Sequence, residues 1–110
     1  MTRVAIIQAA AVPYEPMASV EKAGGILRRV AEQGARLAVF PEAYIGGYPK
    51  GASFGSVIGN RSGAGRELYQ RYVEGAVALD GPELAALAEF VEQTGVITVV
   101  GIIERFGRTL

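Results

Sequence analysis

Three apolar runs punctuate this chain: Val4-Ala5-Ile6-Ile7, Leu37-Ala38-Val39-Phe40 and residues 96–103. Each is short and rich in branched side chains, the pattern of a buried strand. Long stretches of different character separate them. Residues 96–103 are apolar at nearly every position, which predicts a strand in the middle of a sheet covered on both sides.

The intervening stretches change period. In residues 19–35, Val20, Ala23, Leu27, Val30 and Ala31 recur on one helical face, while Glu21, Arg28, Arg29 and Glu32 lie mostly elsewhere. Ser19 is the predicted N-cap, Glu21 suits the positive end of the helix dipole, and Gly34 suits the stop. Gly24-Gly25 conflicts with a helix interior, where each glycine costs roughly 1 kcal/mol against alanine. Close packing of the helix against a sheet accounts for the pair; a kink is the rival. Residues 66–76 predict a second helix, with Leu68, Tyr69, Tyr72, Val73 and Ala76 on one side and both tyrosines packed. Gly81-Pro82-Glu83 opens a third, whose apolar face is Leu84, Leu87, Ala88 and Val91 and whose stop is Gly95. Phe106-Gly107-Arg108 reads as a turn, and Thr109-Leu110 as the first step of another strand. The order strand, helix, strand, helix, helix, strand predicts an α/β layered fold in one domain, residues 1–110, without repeats or an internal linker.

Composition narrows the chemistry. The chain has 110 residues, half of them hydrophobic, which makes disorder a poor account of it. Lysine plus arginine and aspartate plus glutamate stand at 11 each, so charge gives no reason to expect a nucleic acid or anionic membrane as partner. Cysteine and histidine are absent. These 110 residues therefore hold no disulfide, no thiolate or imidazole metal site, no Ser-His-Asp triad and no Cys-His pair. Gln8 interrupts the first apolar run, so no targeting signal is expected. No stretch approaches the ~20 apolar residues of a membrane helix, and the expected location is the cytoplasm.

The segment that carries chemistry is Val39-Phe40-Pro41-Glu42-Ala43-Tyr44-Ile45-Gly46-Gly47-Tyr48-Pro49-Lys50-Gly51. It sets a carboxylate just past the carboxyl end of a strand, the edge where open α/β sheets bind ligands. Pro41 stiffens the approach, and the glycines that follow allow close contacts. A carboxylate held against apolar neighbours has its pKa raised and can act as a general base near neutrality. Many glutamates at strand ends are only solvated or ion-paired, and the residues alone leave both readings open. The glycine-rich stretch from Glu42 to Gly65 has no clear period, and loops of that length are often functional. Gly59-Asn60-Arg61-Ser62-Gly63 lacks the spacing and the Lys-Ser/Thr ending of a phosphate loop. Arg28, Glu32 and Glu89 read as solvated helix faces.

Phe-Pro-Glu-Ala followed by Gly-Gly-Tyr-Pro-Lys-Gly resembles the first signature of the nitrilase, or carbon–nitrogen hydrolase, superfamily, and its nitrilase branch in particular. Val4-Ala5-Ile6-Ile7-Gln8-Ala9, Val20-Glu21-Lys22-Ala23, Gln33-Gly34-Ala35-Arg36-Leu37, Asp80-Gly81-Pro82-Glu83, Val100-Gly101-Ile102-Ile103-Glu104-Arg105 and Thr109-Leu110 are similar to family segments in order and spacing. The resemblance covers essentially the whole chain, as the N-terminal portion of the family domain. It implies an α-β-β-α sandwich and hydrolysis of a nitrile to a carboxylic acid and ammonia. It also implies a cysteine nucleophile that forms a thioimidate and then a thioester, a glutamate base, a lysine that stabilises developing charge, and usually a second glutamate.

Glu42 matches the base; the other members lie later in the family's sequence, beyond Leu110. Lys50 is rejected as the catalytic lysine, which belongs to a later motif, and is read as a pocket-rim or solvated residue. Tyr48, in the same loop as Glu42, is the candidate for substrate binding, with packing of its ring as the alternative. Tyr44 stands where phenylalanine is common in the family. The resemblance further implies a cytoplasmic homo-oligomer built from dimers, with larger spirals in the nitrilase branch, and no metal or organic cofactor. Amidases and carbamoylases of the same superfamily are the alternative activity, although residues 45–51 resemble nitrilases more. A third reading is a truncated, non-catalytic chain acting in assembly or binding, against which stand its open strand edges.

Overall fold

The structure, a computed structural model, describes residues 1–47, 63–107 and 110, leaving aside the side chains of residues 63–65. Six elements follow in order: β1 (Val4–Ile6), α1 (Pro16–Glu32), β2 (Leu37–Val39), α2 (Gly63–Glu74), α3 (Pro82–Thr94) and β3 (Ile97–Val99). The strands form one parallel sheet in the order β1-β2-β3. Val4, Leu37 and Ile97 are in register, as are Ile6, Val39 and Val99. The α/β class and element order match the expectation from periodicity.

Helix α1 starts earlier than its apolar period suggests. Pro16 occupies the first turn, where the missing N–H costs nothing. Ser19, the expected cap, instead lies inside the helix and is fully buried. Its hydroxyl accepts from the Val12 N–H at 2.9 Å and donates to the Val12 carbonyl at 3.3 Å, fastening the preceding loop to the helix. Proline's fixed φ placed the start one turn ahead of the serine, and Glu21 consequently lies beyond the first turn. Gly34, at φ +84°, stops the helix as expected.

Gly24 is buried, and a Cβ built there would lie 2.5 Å from the Phe90 ring of α3. The close packing is therefore helix on helix rather than helix on sheet. The Arg28 guanidinium lies 5.1 Å from the centroid of the same ring. Gly25 faces open space, and α1 runs unbroken through both glycines. Helix α3 keeps the expected limits, with Gly81 as N-cap, Pro82 in the first turn and Gly95 in the left-handed C-terminal position. Helix α2 starts before the predicted residue 66. It ends at Glu74, short of the expected residue 76; Tyr72 is buried on it and Ala76 just past its end, but Tyr69 is exposed.

Among the described residues the sheet is covered on one face only. Ala5 and Ala38 point to one side and share a core with Val20, Ala23 and Leu27 of α1 and Leu87 of α3. The opposite face carries Val4, Ile6, Leu37, Val39, Ile97 and Val99, with Ile6 69% and Ile97 68% exposed. β3, expected in mid-sheet, is an edge strand among the described residues. The reason is simple: the strands are apolar on both faces, but α1 and α3 supply one covering layer.

Beyond Val99 the chain stays extended and keeps borrowing partners. Ile102 bridges Ile45 and Glu104 bridges Val77, both in parallel. Gly107 sits at φ +62° in the expected turn, while Arg108 and Thr109 lie outside the described residues. No helix among the described residues is long and apolar enough to cross a membrane.

Candidate active site

The turn that follows β2, the central strand, is pinned at both ends. The Phe40 N–H donates to the Val99 carbonyl at 2.8 Å. The Ile45 N–H donates to the Gly101 carbonyl at 3.1 Å, and the Ile103 N–H returns a bond to the Ile45 carbonyl at 2.8 Å. The Gly47 N–H closes the turn on the Ala43 carbonyl at 2.9 Å. Side-chain packing holds it further. Tyr44 and Ile45 are essentially inaccessible, and the Tyr44 ring lies 5.1 Å from that of Phe40 at 54°.

Within residues 40–46 Glu42 alone is exposed. A buried, doubly anchored turn thus presents one carboxylate at the carboxyl end of the middle strand. Ala43, directly after it, adopts φ +50°, a left-handed conformation that costs a non-glycine residue about 1–3 kcal/mol. Strain of that kind persists only where surrounding contacts impose it, as the flanking hydrogen bonds do here.

The environment expected for Glu42 differs from the one found. No apolar wall encloses its side chain among the described residues. An apolar groove of about 430 Å³ is lined by Leu84, Leu87, Val91, Thr98 and Val100, between α3 and β3, and Glu42 is not part of it. Tyr48, the candidate for substrate binding, and Lys50 lie outside the described residues, as does most of Gly59-Asn60-Arg61-Ser62-Gly63.

Two features of the site escaped the sequence reading. The Tyr44 hydroxyl is buried without a hydrogen-bond partner among the described residues, and burial pushes the phenol above its ordinary pKa. Gly101 lies against the main chain of Glu42 and Ala43. A signal for Gly101 existed: a lone glycine inside an apolar strand run marks close approach by another backbone.

Comparison with known proteins adds to this geometry. The profile of the family described as Carbon-nitrogen hydrolase matches residues 3–110. The chain is 47% identical over 108 residues to the nitrilase blr3397 of Bradyrhizobium diazoefficiens, covering 98% of this chain and 34% of that protein. It is 46% identical to an aliphatic nitrilase of Sinorhizobium fredii, over 98% of this chain and 35% of that protein. It is 44% identical to the bifunctional nitrilase/nitrile hydratase NIT4B of Nicotiana tabacum, over 98% of this chain and 31% of that protein. The chain therefore spans about a third of the length of these curated relatives.

Proposed function

The chain belongs to the carbon–nitrogen hydrolase family, and we propose that it forms the N-terminal part of a nitrilase in which Glu42 is the general base. The observation that carries this reading is the pinned turn, which exposes Glu42 and buries residues 43–46, in a chain similar along its length to nitrilases. The nucleophile comes from polypeptide outside these 110 residues, which contain no cysteine. Glu42 takes the thiol proton, and the thiolate adds to the nitrile carbon to form a thioimidate. One water adds and ammonia leaves, giving a thioester; a second water releases the carboxylate and restores the thiol. A lysine from later sequence stabilises the charge that develops on nitrogen. No metal or organic cofactor enters these steps.

Tyr48 is proposed to line the pocket for the nitrile. The bare face of the sheet supports a second sheet packed over it, which would complete an α-β-β-α sandwich and enclose Glu42. A cytoplasmic homo-oligomer assembled from dimers completes the proposal.

The test is ammonia release from benzonitrile and butyronitrile by the complete polypeptide and by its Glu42→Gln variant, with amide and acid products separated. Loss of a general base lowers turnover by about 10²–10⁴-fold, and folding is expected to survive. Near-normal turnover by Glu42→Gln would refute the assignment.

A further inference from the structure

A strand can lie against a turn only as closely as the atoms between them allow. Three described glycines have so little room that an added Cβ would come within 3.0 Å of another heavy atom. At Gly24 the obstacle is the Phe90 ring, and at Gly46 it is the Ile103 side chain. At Gly101 it is main chain: the Ala43 nitrogen at 2.5 Å, then the Glu42 carbonyl carbon and Cα at 3.2 Å each. A side chain can rotate away, whereas a peptide unit moves only with the turn that contains it.

The same peptide unit is held from other directions. Its flanking hydrogen bonds, from Phe40 to Val99 and from Ile45 to Gly101, fix both ends of the turn to the end of β3 and the segment that follows it. Within that turn Ala43 adopts φ +50°, a conformation that a residue with a Cβ disfavours. Crowding at Gly101 and strain at Ala43 are separate observations, and both converge on the bond between Glu42 and Ala43.

We infer that Gly101 is a positioning residue for Glu42: its missing side chain lets the 42–43 peptide rest on the segment that follows β3, which sets the point from which the carboxylate projects. This rests on the reading of Glu42 as the base. A methyl group at 101 would lift that peptide and displace the carboxylate, leaving the helices and the sheet core in place. Displacement of a catalytic group by about 1 Å costs on the order of 10²-fold in rate.

The experiment compares wild type, Gly101→Ala, Glu42→Gln and the double variant in the complete polypeptide, with benzonitrile and butyronitrile as probes. Gly101→Ala is expected to lower kcat by about 10–100-fold with little change in KM. In the Glu42→Gln background the same change should cost almost nothing further, because a residue acting through Glu42 has nothing left to position. A merely structural role would give an equal loss in both backgrounds and would overturn the inference. A kcat for Gly101→Ala near wild type, with Glu42→Gln inactive, would overturn it too. If Glu42→Gln stays active, it is the assignment of the base that fails. Should Gly101→Ala fail to fold, Ala43→Gly is added to give the displaced turn a freer residue. That pair is expected to fold with depressed kcat, and normal kcat in it would count against Gly101. A crystal structure of the variant with the 42–43 peptide unmoved would do the same without reference to activity.

Discussion

The two faces of one three-stranded sheet differ in side chains and in cover: Ala5, Ala38 and Thr98 line one, and larger aliphatic residues line the other. On one, Ala5 and Ala38 are small, and α1 and α3 press their apolar stripes against them. On the other, Val4, Ile6, Leu37, Val39, Ile97 and Val99 form an aliphatic surface with no described layer above it. Both faces have the side-chain chemistry of an interior. Among the described residues a helical layer covers the face with the smaller side chains and leaves the other open, so truncation of an apolar side chain should have very different consequences on the two sides.

The widest contrast is between Leu27 and Ile6. Leu27 is fully buried between α1 and the sheet, and Leu27→Ala should cost this chain about 2–5 kcal/mol. Ile6→Ala removes a similar volume from the bare face and should cost less than about 0.5 kcal/mol. Urea unfolding of both variants checks this. Equal losses would mean that the bare face is covered in solution, by another copy or by chain outside the described residues.

A smaller contrast lies on the covered side, between adjacent glycines of α1. Gly24→Ala drives a methyl group into the Phe90 ring and should destabilise by about 1–3 kcal/mol through overpacking. Gly25→Ala meets open space and should stabilise by about 1 kcal/mol through helix propensity. Thermal melts of the two variants should move in opposite directions. A gain at both positions would show that α1 and α3 are less tightly joined than the 2.5 Å approach implies.

What could be read from sequence follows the same division. Strand and helix order, the limits of α3 and the stop of α1 are local properties, set by period and by proline and glycine. Ser19 misled because cap chemistry is a weaker signal than Pro16, and its hydroxyl had a nonlocal partner in Val12. The edge position of β3 was illegible, since an apolar run records what could cover a strand and not what does. The place of Glu42 just past the end of a strand was legible, but its exposure was not, because exposure depends on nonlocal packing. Gly101 carried a readable signal of close approach without naming the backbone that approaches.

Tyr44 provides the finest test, because it sits where the covered core meets the turn of Glu42. Its ring is packed and its hydroxyl has no hydrogen-bond partner among the described residues. An unsatisfied buried hydroxyl costs about 1–3 kcal/mol, so Tyr44→Phe should stabilise this chain by roughly 1 kcal/mol at pH 7. The pH dependence gives an independent check. Burial raises the folded-state pKa of the phenol above its unfolded value of about 10. Below the unfolded value both states hold the proton, and the group contributes no slope. As pH rises from there through the folded value, the unfolded state loses its proton first and stability falls. Tyr44→Phe should remove that part of the alkaline decline. Urea midpoints measured from pH 7 to 11 would show it. A variant no more stable than wild type, with the same alkaline slope, would mean that the hydroxyl is satisfied in solution. The core and the turn that carries Glu42 would then be joined by a hydrogen bond as well as by packing.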